Sequence, residues 1–368
     1  MKPNILLIYT GGTIGMMKDP ETKALRAFDF SQLLVHIPEI KQLDCHIEPY
    51  SFEYPIDSSD MNLEEWRKLG DVIYTNYDDY DGFVVLHGSD TMSFTGSTLS
   101  FMFENLTKPI ILTGSQLPIG DLRTDAKENL ITSLQLAIQN NNGIPIIQEV
   151  CIYFEYQLYR ANRTTKINAE HFEAFSSPNY PPLAISGVHL NIDTSLLWER
   201  KLVDPSLQVN STAFAKAESK ISTREEDNRM NYRPDFVDAV VVLKLFPGIT
   251  EEVVKSICNI KGLKGIILET YGSGNALTQS WFIHLLQEAL LKNIRIVNVT
   301  QCKGGAVSMG KYETSTQLMK IGVVSGKDIT TEAALPKMMY LLQHTKTRED
   351  FKEYFETSLR GEITDSID

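Results

Sequence analysis

Ser89, Asp90 and Lys166 supply a hydroxyl, a carboxylate and an amine, a set that can do what a lone hydroxyl cannot. A hydroxyl is a poor nucleophile until a base takes its proton. A lysine held neutral in a desolvated site is such a base if a carboxylate orients it. Ser89 and Asp90 stand in "HGSDTM" (His87 to Met92), and Lys166 ends "NRTTK" (Asn162 to Lys166). Another hydroxyl, Thr13, lies in "YTGGTIGMM" (Tyr9 to Met17) among three glycines. Glycine has no Cβ and tolerates positive φ, so this turn can bend sharply after a strand and let a second backbone or a ligand approach closely. Gly11, Gly12 and Gly15 do not have the G-x-G-x-x-G spacing, and no convincing ribose-binding acid lies near position 35, so a dinucleotide fingerprint is not indicated.

Each segment also has a plainer reading. The glycine turn can simply be tight, Ser89 or Asp90 can cap a helix that begins near Met92, and Lys166 can be a solvated surface lysine. His87 reads as a buried, hydrogen-bonded turn residue rather than a general base. Position along the fold separates these readings, and position is set by the secondary structure.

Short Val/Ile/Leu runs recur as "NILLIY" from Asn4, "GFVVLHG" from Gly82, "PIILTG" from Pro109 and "EVCIYF" from Glu149, each read as a buried strand. Helical patterns lie between them. "SSDMNLEEWRKLGDVIYTNY" offers Ser58, Ser59 and Asp60 as N-caps, and "TDAKENLITSLQLAIQ" offers Thr124 or Asp125. Alternating strands and helices predict an α/β fold with a mostly parallel sheet. In an open sheet of that kind ligands bind beyond the carboxyl ends of the strands. The four runs are followed by "TGGT", "HGSDT", "TGSQ" and "QLYRANRTTK", so Thr13, Ser89, Asp90 and Lys166 all fall at that edge.

The segment 204–236 is polar and charge-mixed with no clear period, and reads as a linker between an N-terminal domain (1–203) and a smaller C-terminal α/β domain (237–368). Strand-like runs resume there as "DAVVVLKL" from Asp238, "GIILET" from Gly265 and "IRIVNVT" from Ile294. A length of 368 residues fits two domains. The formal net charge of −12 argues against nucleic-acid and anionic-membrane partners. Cys45, Cys151, Cys258 and Cys302 are far apart with no C-x-x-C pair, which predicts reduced, mostly buried thiols and no metal site. The apolar run near the start is too short for a signal h-region, so a cytoplasmic location is expected.

These residues also resemble a family. "YTGGTIGM", "DSSDM" (Asp57 to Met61), "HGSDTM", "ILTGSQLP", "RTDAKENL", "NRTTK", "YGSGNA" (Tyr271 to Ala276), "TQC" ending at Cys302 and "LRGEIT" (Leu359 to Thr364) run in order along nearly the whole chain. Together they resemble the cytoplasmic type I L-asparaginases. The resemblance implies a flavodoxin-like N-domain, a smaller C-terminal α/β domain, and hydrolysis of L-asparagine to L-aspartate and ammonia without a cofactor by a homodimer or homotetramer. It casts Thr13 as nucleophile and Ser89, Lys166 and Asp90 as a second triad. Asp57, Ser58, Ser59, Ser89 and Asp90 become substrate contacts, and Thr165, Asn275 and Cys302 match an effector pocket found in some members. Two positions depart from the family: a serine, Ser89, replaces the usual threonine, and no tyrosine occurs from Lys18 to Phe30 to assist Thr13.

Other readings are a glutaminase-asparaginase, an ammonia-supplying amidotransferase subunit, or a non-catalytic amino-acid sensor. The first strand opens within ten residues of the start, which disfavours the amidotransferase. A sensor has no need of a lysine beside a hydroxyl.

Overall fold

The structure is a computed structural model that describes residues 2–18, 25–27, 37–199, 229–310 and 313–365. The chain forms two compact units. One comprises residues 1–199 with Met230–Pro234, and the other comprises residues 200–229 with Asp235–Asp368. Most of the segment read as a linker lies outside the described residues. At its end Asn231–Tyr232 pairs with Phe103–Glu104 in the first unit.

The first unit is built on one eight-stranded sheet. Its strands are β1 (Asn4–Tyr9), β2 (His46–Ser51), β3 (Gly82–Leu86), β4 (Ile110–Thr113), β5 (Val150–Phe154), β6 (Gln157–Arg160), β7 (Ala184–Ser186) and β8 (Leu190–Ile192). The order is β8-β7-β6-β5-β4-β3-β1-β2. The five strands β2-β1-β3-β4-β5 are parallel, and β6, β7 and β8 extend that sheet with antiparallel pairing. The order 2-1-3-4-5 is flavodoxin-like, with its reversal between β1 and β3. β1 after its exposed Asn4, β3, β4 up to Thr113, and β5 are apolar runs because both faces are covered. Ile5, Leu7, Val84, Leu86, Ile111 and Tyr153 share one core cluster with Leu130 and Leu134 of α3 (Ala126–Ala137). On α1 (Leu63–Thr75) the buried residues Trp66, Leu69, Gly70 and Ile73 form one helical stripe. In α2 (Met92–Met102) every residue but Phe94 is buried.

β2 carries no such signal. Its pattern "HIEPYS" is nearly all exposed and contains Pro49, as suits an edge strand, and periodicity alone does not find it.

The second unit has a four-stranded, all-parallel sheet of β9 (Val240–Lys244), β10 (Gly265–Thr270), β11 (Arg295–Thr300) and β12 (Val324–Ser325). Its strands lie in chain order, β9-β10-β11-β12, with no reversal. Leu243, Ile266, Leu268 and Ile296 pack with Val254 of α4 (Glu251–Cys258), Phe282 and Leu286 of α5 (Ser280–Leu291) and Leu318 of α6 (Glu313–Ile321). α7 (Thr331–His344) packs on β9 and β10. No helix among the described residues is long and apolar enough to cross a membrane.

Candidate active site

The site assembles at the reversal. Thr10 follows β1, and both its N–H (3.1 Å) and its hydroxyl (3.0 Å) donate to Leu86 O at the end of β3. Ile56 N donates to Thr10 O (2.7 Å), and His87 N donates to Thr113 O at the end of β4 (2.9 Å). These bonds tie the loops after β1, β2, β3 and β4 into one rim. Gly11 and Gly12 have φ of 139° and 90°. A Cβ on Gly11 would lie 2.0 Å from Ile56 O, and one on Gly12 would lie 2.6 Å from Gly88. The opening glycines are thus fixed by backbone conformation and by backbone contact alike. They set Thr13, the half-buried first residue of a short 3-10 turn (Thr13–Gly15), beside "HGSD".

The Tyr9 ring fills the space that a Gly15 Cβ would need. Burial pushes its phenol up to about 12, so it packs beneath the turn rather than standing ready as a base for Thr13. The segment from Lys18 to Phe30, in which the sequence lacks a tyrosine, is largely outside the described residues.

Asp57 Oδ1 accepts from Ser59 N and Ser59 Oγ, each at 3.0 Å, and these bonds pull its carboxyl below the usual range. Ser58 is buried, and its carbonyl accepts from Thr91 Oγ1 (2.7 Å). None of Ser58, Ser59 and Asp60 caps α1. That role falls to Asn62, whose Oδ1 accepts from Glu64 N (2.9 Å) and Glu65 N (3.2 Å). The Asp57–Ser59 turn is therefore a separate structure at the rim.

Ser89 and Asp90 do not cap α2 either. Its N-cap is Thr91, with no side-chain cap bond. Their side chains instead meet Lys166, whose Nζ donates to Ser89 Oγ (2.7 Å) and to Asp90 Oδ1 (2.7 Å). The Lys166 side chain is only 17% exposed, whereas that of Asp90 is 66% exposed and so open to an incoming cation. Lys166 reaches the site because the turn Ala161–Arg163 lies against α2. A Cβ on Gly96 would sit 2.7 Å from Ala161 Cβ, and Thr164 Oγ1 donates to Ser93 Oγ (2.9 Å).

Behind this rim His87 is fully buried, and burial depresses it to about 4 although the Gly88 carbonyl opposes the shift. Its Nδ1 lies 2.7 Å from Gly88 O, which can only accept, so Nδ1 carries the proton. Nε2 then accepts from Thr95 Oγ1 (3.0 Å), which itself receives Trp66 Nε1–H (2.9 Å). With both nitrogens engaged in the interior, His87 is a structural residue.

Motif reasoning passed over Gln116. Its Oε1 accepts from Ser89 Oγ (3.4 Å), and its N–H donates to both oxygens of Asp125 (3.1 and 2.9 Å). Burial raises the Asp125 carboxyl despite these bonds. Asp125 stands at the N-cap of α3 without a side-chain cap bond, and Thr124 Oγ1 accepts from Ala126 N (3.0 Å). The signal lay in "TGSQ" at a strand end.

Thr165 is buried beside Lys166 in the first unit. Asn275 and Cys302 belong to the second unit, just past β10 and β11. Asn275 forms a bridge with Tyr271, and Cys302 is exposed. Cys151 and Cys258 are buried, and Cys45 is intermediate.

The site thus belongs to an α/β protein with a flavodoxin-like sheet that brings a lysine, a carboxylate and hydroxyls together at its reversal. The particular family follows from comparison. Residues 4–198 match "Asparaginase, N-terminal" and residues 239–355 match "Glutaminase/Asparaginase C-terminal domain". The chain is 38% identical over 367 residues to L-asparaginase 1 of Escherichia coli K12, covering 99% of this chain and 98% of that protein. It is also 38% identical over 382 residues to a mouse 60 kDa lysophospholipase, covering 98% of this chain and 62% of that protein. The crystal structure of L-asparaginase I from Vibrio cholerae superposes with a TM-score of 0.82 at 36% identity, covering 99% of this chain and all of that one. The chain belongs to the asparaginase family.

Proposed function

We propose that the protein hydrolyses L-asparagine to L-aspartate and ammonia, with Thr13 as nucleophile and Ser89, Lys166 and Asp90 as the proton-moving group. The observation that carries this is the placement of Lys166 between Ser89 and Asp90, next to the glycine turn that presents Thr13. Full-length similarity to an L-asparaginase supports the substrate.

Thr13 Oγ adds to the side-chain carbonyl carbon, and backbone N–H groups near Ser89 stabilise the oxyanion by about 3 kcal/mol. The threonine proton passes to the amide nitrogen, the C–N bond breaks, and ammonia leaves an ester on Thr13. Water then attacks the ester. Its proton returns to Thr13 as the C–O bond breaks, and aspartate is released. Ser89 and Lys166 move the proton in both halves, which requires the Lys166 ammonium to have given one up. Asp57, Ser58 and Ser59 hold the amino-acid head, and Asp90 pairs with its ammonium as well as with Lys166. We read the protein as a cytoplasmic homodimer or homotetramer, following the family resemblance.

The test compares ammonia release from asparagine and glutamine by the native chain and by Thr13→Ala. Asparagine turnover is expected to fall by about 10³-fold or more in the variant, with binding largely retained. A Thr13→Ala protein with native turnover would remove the assignment.

A further inference from the structure

Gln116 follows β4 at the same rim, held by the Asp125 carboxylate, which also accepts from Leu117 N (3.1 Å) and Asn129 Nδ2 (3.2 Å). Its Nε2 donates to Ala169 O (3.2 Å) and His171 O (2.9 Å), in the segment just past Lys166. Carbonyl oxygens only accept, so that end of the amide is the NH2 group and the end facing Ser89 is the oxygen. The Lys166 ammonium has donors and no acceptor. Its bond to Ser89 Oγ therefore uses a lone pair of the serine, and the serine's own proton must go elsewhere. The acceptor within reach is Gln116 Oε1.

We propose that Gln116 is a positioning residue for the Ser89–Lys166 pair. While Lys166 is an ammonium, the Gln116 oxygen holds the Ser89 hydroxyl in one orientation, and its NH2 group fixes the segment that follows Lys166. This rests on the asparagine-hydrolysis reading above. A serine lacks the methyl that restrains a threonine rotamer, so Ser89 depends on this external acceptor for its orientation.

The test uses the full chain, native and with Gln116→Met or Gln116→Glu, measuring kcat, KM and the pH dependence of kcat/KM for asparagine, with thermal unfolding as the folding control. Met removes both polar ends at similar length. We expect kcat to fall about 10-fold with KM within about twofold, the pattern of lost orientation rather than lost binding. Glu keeps an oxygen toward Ser89 and adds a negative charge near Lys166. Its plateau kcat should exceed that of the Met variant, and the acid limb of kcat/KM should move up by about one pH unit. The other charged and titratable groups around Gln116 are Lys166 and Asp90 beyond Ser89, Asp125 beneath its main chain, and Glu170 and His171 on the adjoining segment. All are unchanged in both variants, so a shift reports the new charge. A purely structural anchor needs only the NH2 group, which both variants lose. Equal losses of kcat with an unshifted acid limb would overturn the proposal, as would a Met variant with native kcat. A native chain that releases no ammonia would overturn the hydrolysis reading itself, a different result.

Discussion

The N-unit and C-unit sheets are made of similar buried parallel strands, and both place polar residues just past their carboxyl ends. In the C-unit those residues bond within the unit, chiefly to main-chain carbonyls. Thr270 Oγ1 donates to Asn298 Oδ1 (2.7 Å), Thr300 Oγ1 to Gly272 O (2.5 Å), and Gln301 Nε2 to Leu245 O (2.7 Å) and Glu269 O (2.9 Å). In the N-unit, Ser89 and Asp90 are met by a lysine from 77 and 76 residues further along the chain. The difference is topological. The C-unit strands β9 to β12 lie in chain order, whereas the N-unit order reverses between β1 and β3, where the loop of Thr13 meets the loop of Ser89 at the Gly12–Gly88 approach. In the N-unit the polar strand ends that gather a lysine, a carboxylate and a hydroxyl lie where the strand order reverses.

The largest expected effect follows directly. Lys166→Met should lower kcat by about 10³-fold because it removes the group that exchanges the Ser89 proton. Ser89→Thr, which keeps the hydroxyl and adds a methyl, should cost far less. The matching C-unit change, Thr270→Val, should leave kcat close to native and lower stability by about 1 to 3 kcal/mol, since Asn298 Oδ1 loses a buried donor. Ammonia-release kinetics and thermal unfolding on the three variants check this. A Thr270→Val loss of kcat as large as that of Lys166→Met would break the comparison.

The contrast also shows what the amino-acid order made legible. Seven apolar runs became strands, six of them because burial on both faces demands a nearly unbroken apolar stretch, while β9 is only partly buried. β2 was hidden because it is an exposed edge, and β12 because it has two residues. The reversal depends on where β2 pairs, so the element that defines the switch point was the least visible one. Ser89 and Asp90 could have been helix caps on local grounds. Their engagement with Lys166 depends on the close approach of Gly96 to Ala161, a contact 65 residues apart that no window of sequence contains. The family motifs supplied that long-range information, and they supplied nothing for Gln116, whose role depends on which end of an amide faces Ser89.

Glycines sharpen the comparison at the next magnitude. Gly12 (φ 90°) and Gly262 in the C-unit (φ 85°) both have positive φ, but a Cβ at Gly262 meets nothing within 4 Å. Gly262→Ala should therefore cost only the conformational strain, about 1 kcal/mol. Gly12→Ala adds a clash with Gly88 and should cost about 4 kcal/mol. It should also lower kcat/KM, because the displaced parts are the Thr13 turn and the loop of Ser89. Equal unfolding shifts for the two variants would mean that the rim of the N-unit yields as easily as a surface turn.

A pH dependence, smaller than the Gly12 effect, should also separate the two units. Burial holds the His87 imidazole near 4 in the folded N-unit, against 6.5 for the ordinary value. Between those values the unfolded chain binds a proton that the folded one refuses. This contribution to stability is complete above pH 6.5 and is lost progressively as pH falls toward 4, by about 3 kcal/mol in all. Protonation would also set an N–H against the Thr95 hydroxyl that now donates to Nε2. In the C-unit, burial pushes Glu362 up, but buried Lys337 and the N–H groups of Leu359 and Arg360 more than offset this and hold it below its ordinary 4.5. Its contribution is present above 4.5 and is lost only as pH falls below that value. Amide exchange, corrected for the intrinsic pH effect, can follow β3 and β10 separately between pH 7 and 4.5. Protection of β3 should weaken across that window, and protection of β10 should change much less. His87→Gln should flatten the β3 profile. A native β3 profile that is already flat would mean that the His87 ring is reached by water, and the interior network through Thr95 and Trp66 would then no longer explain how the rim is held.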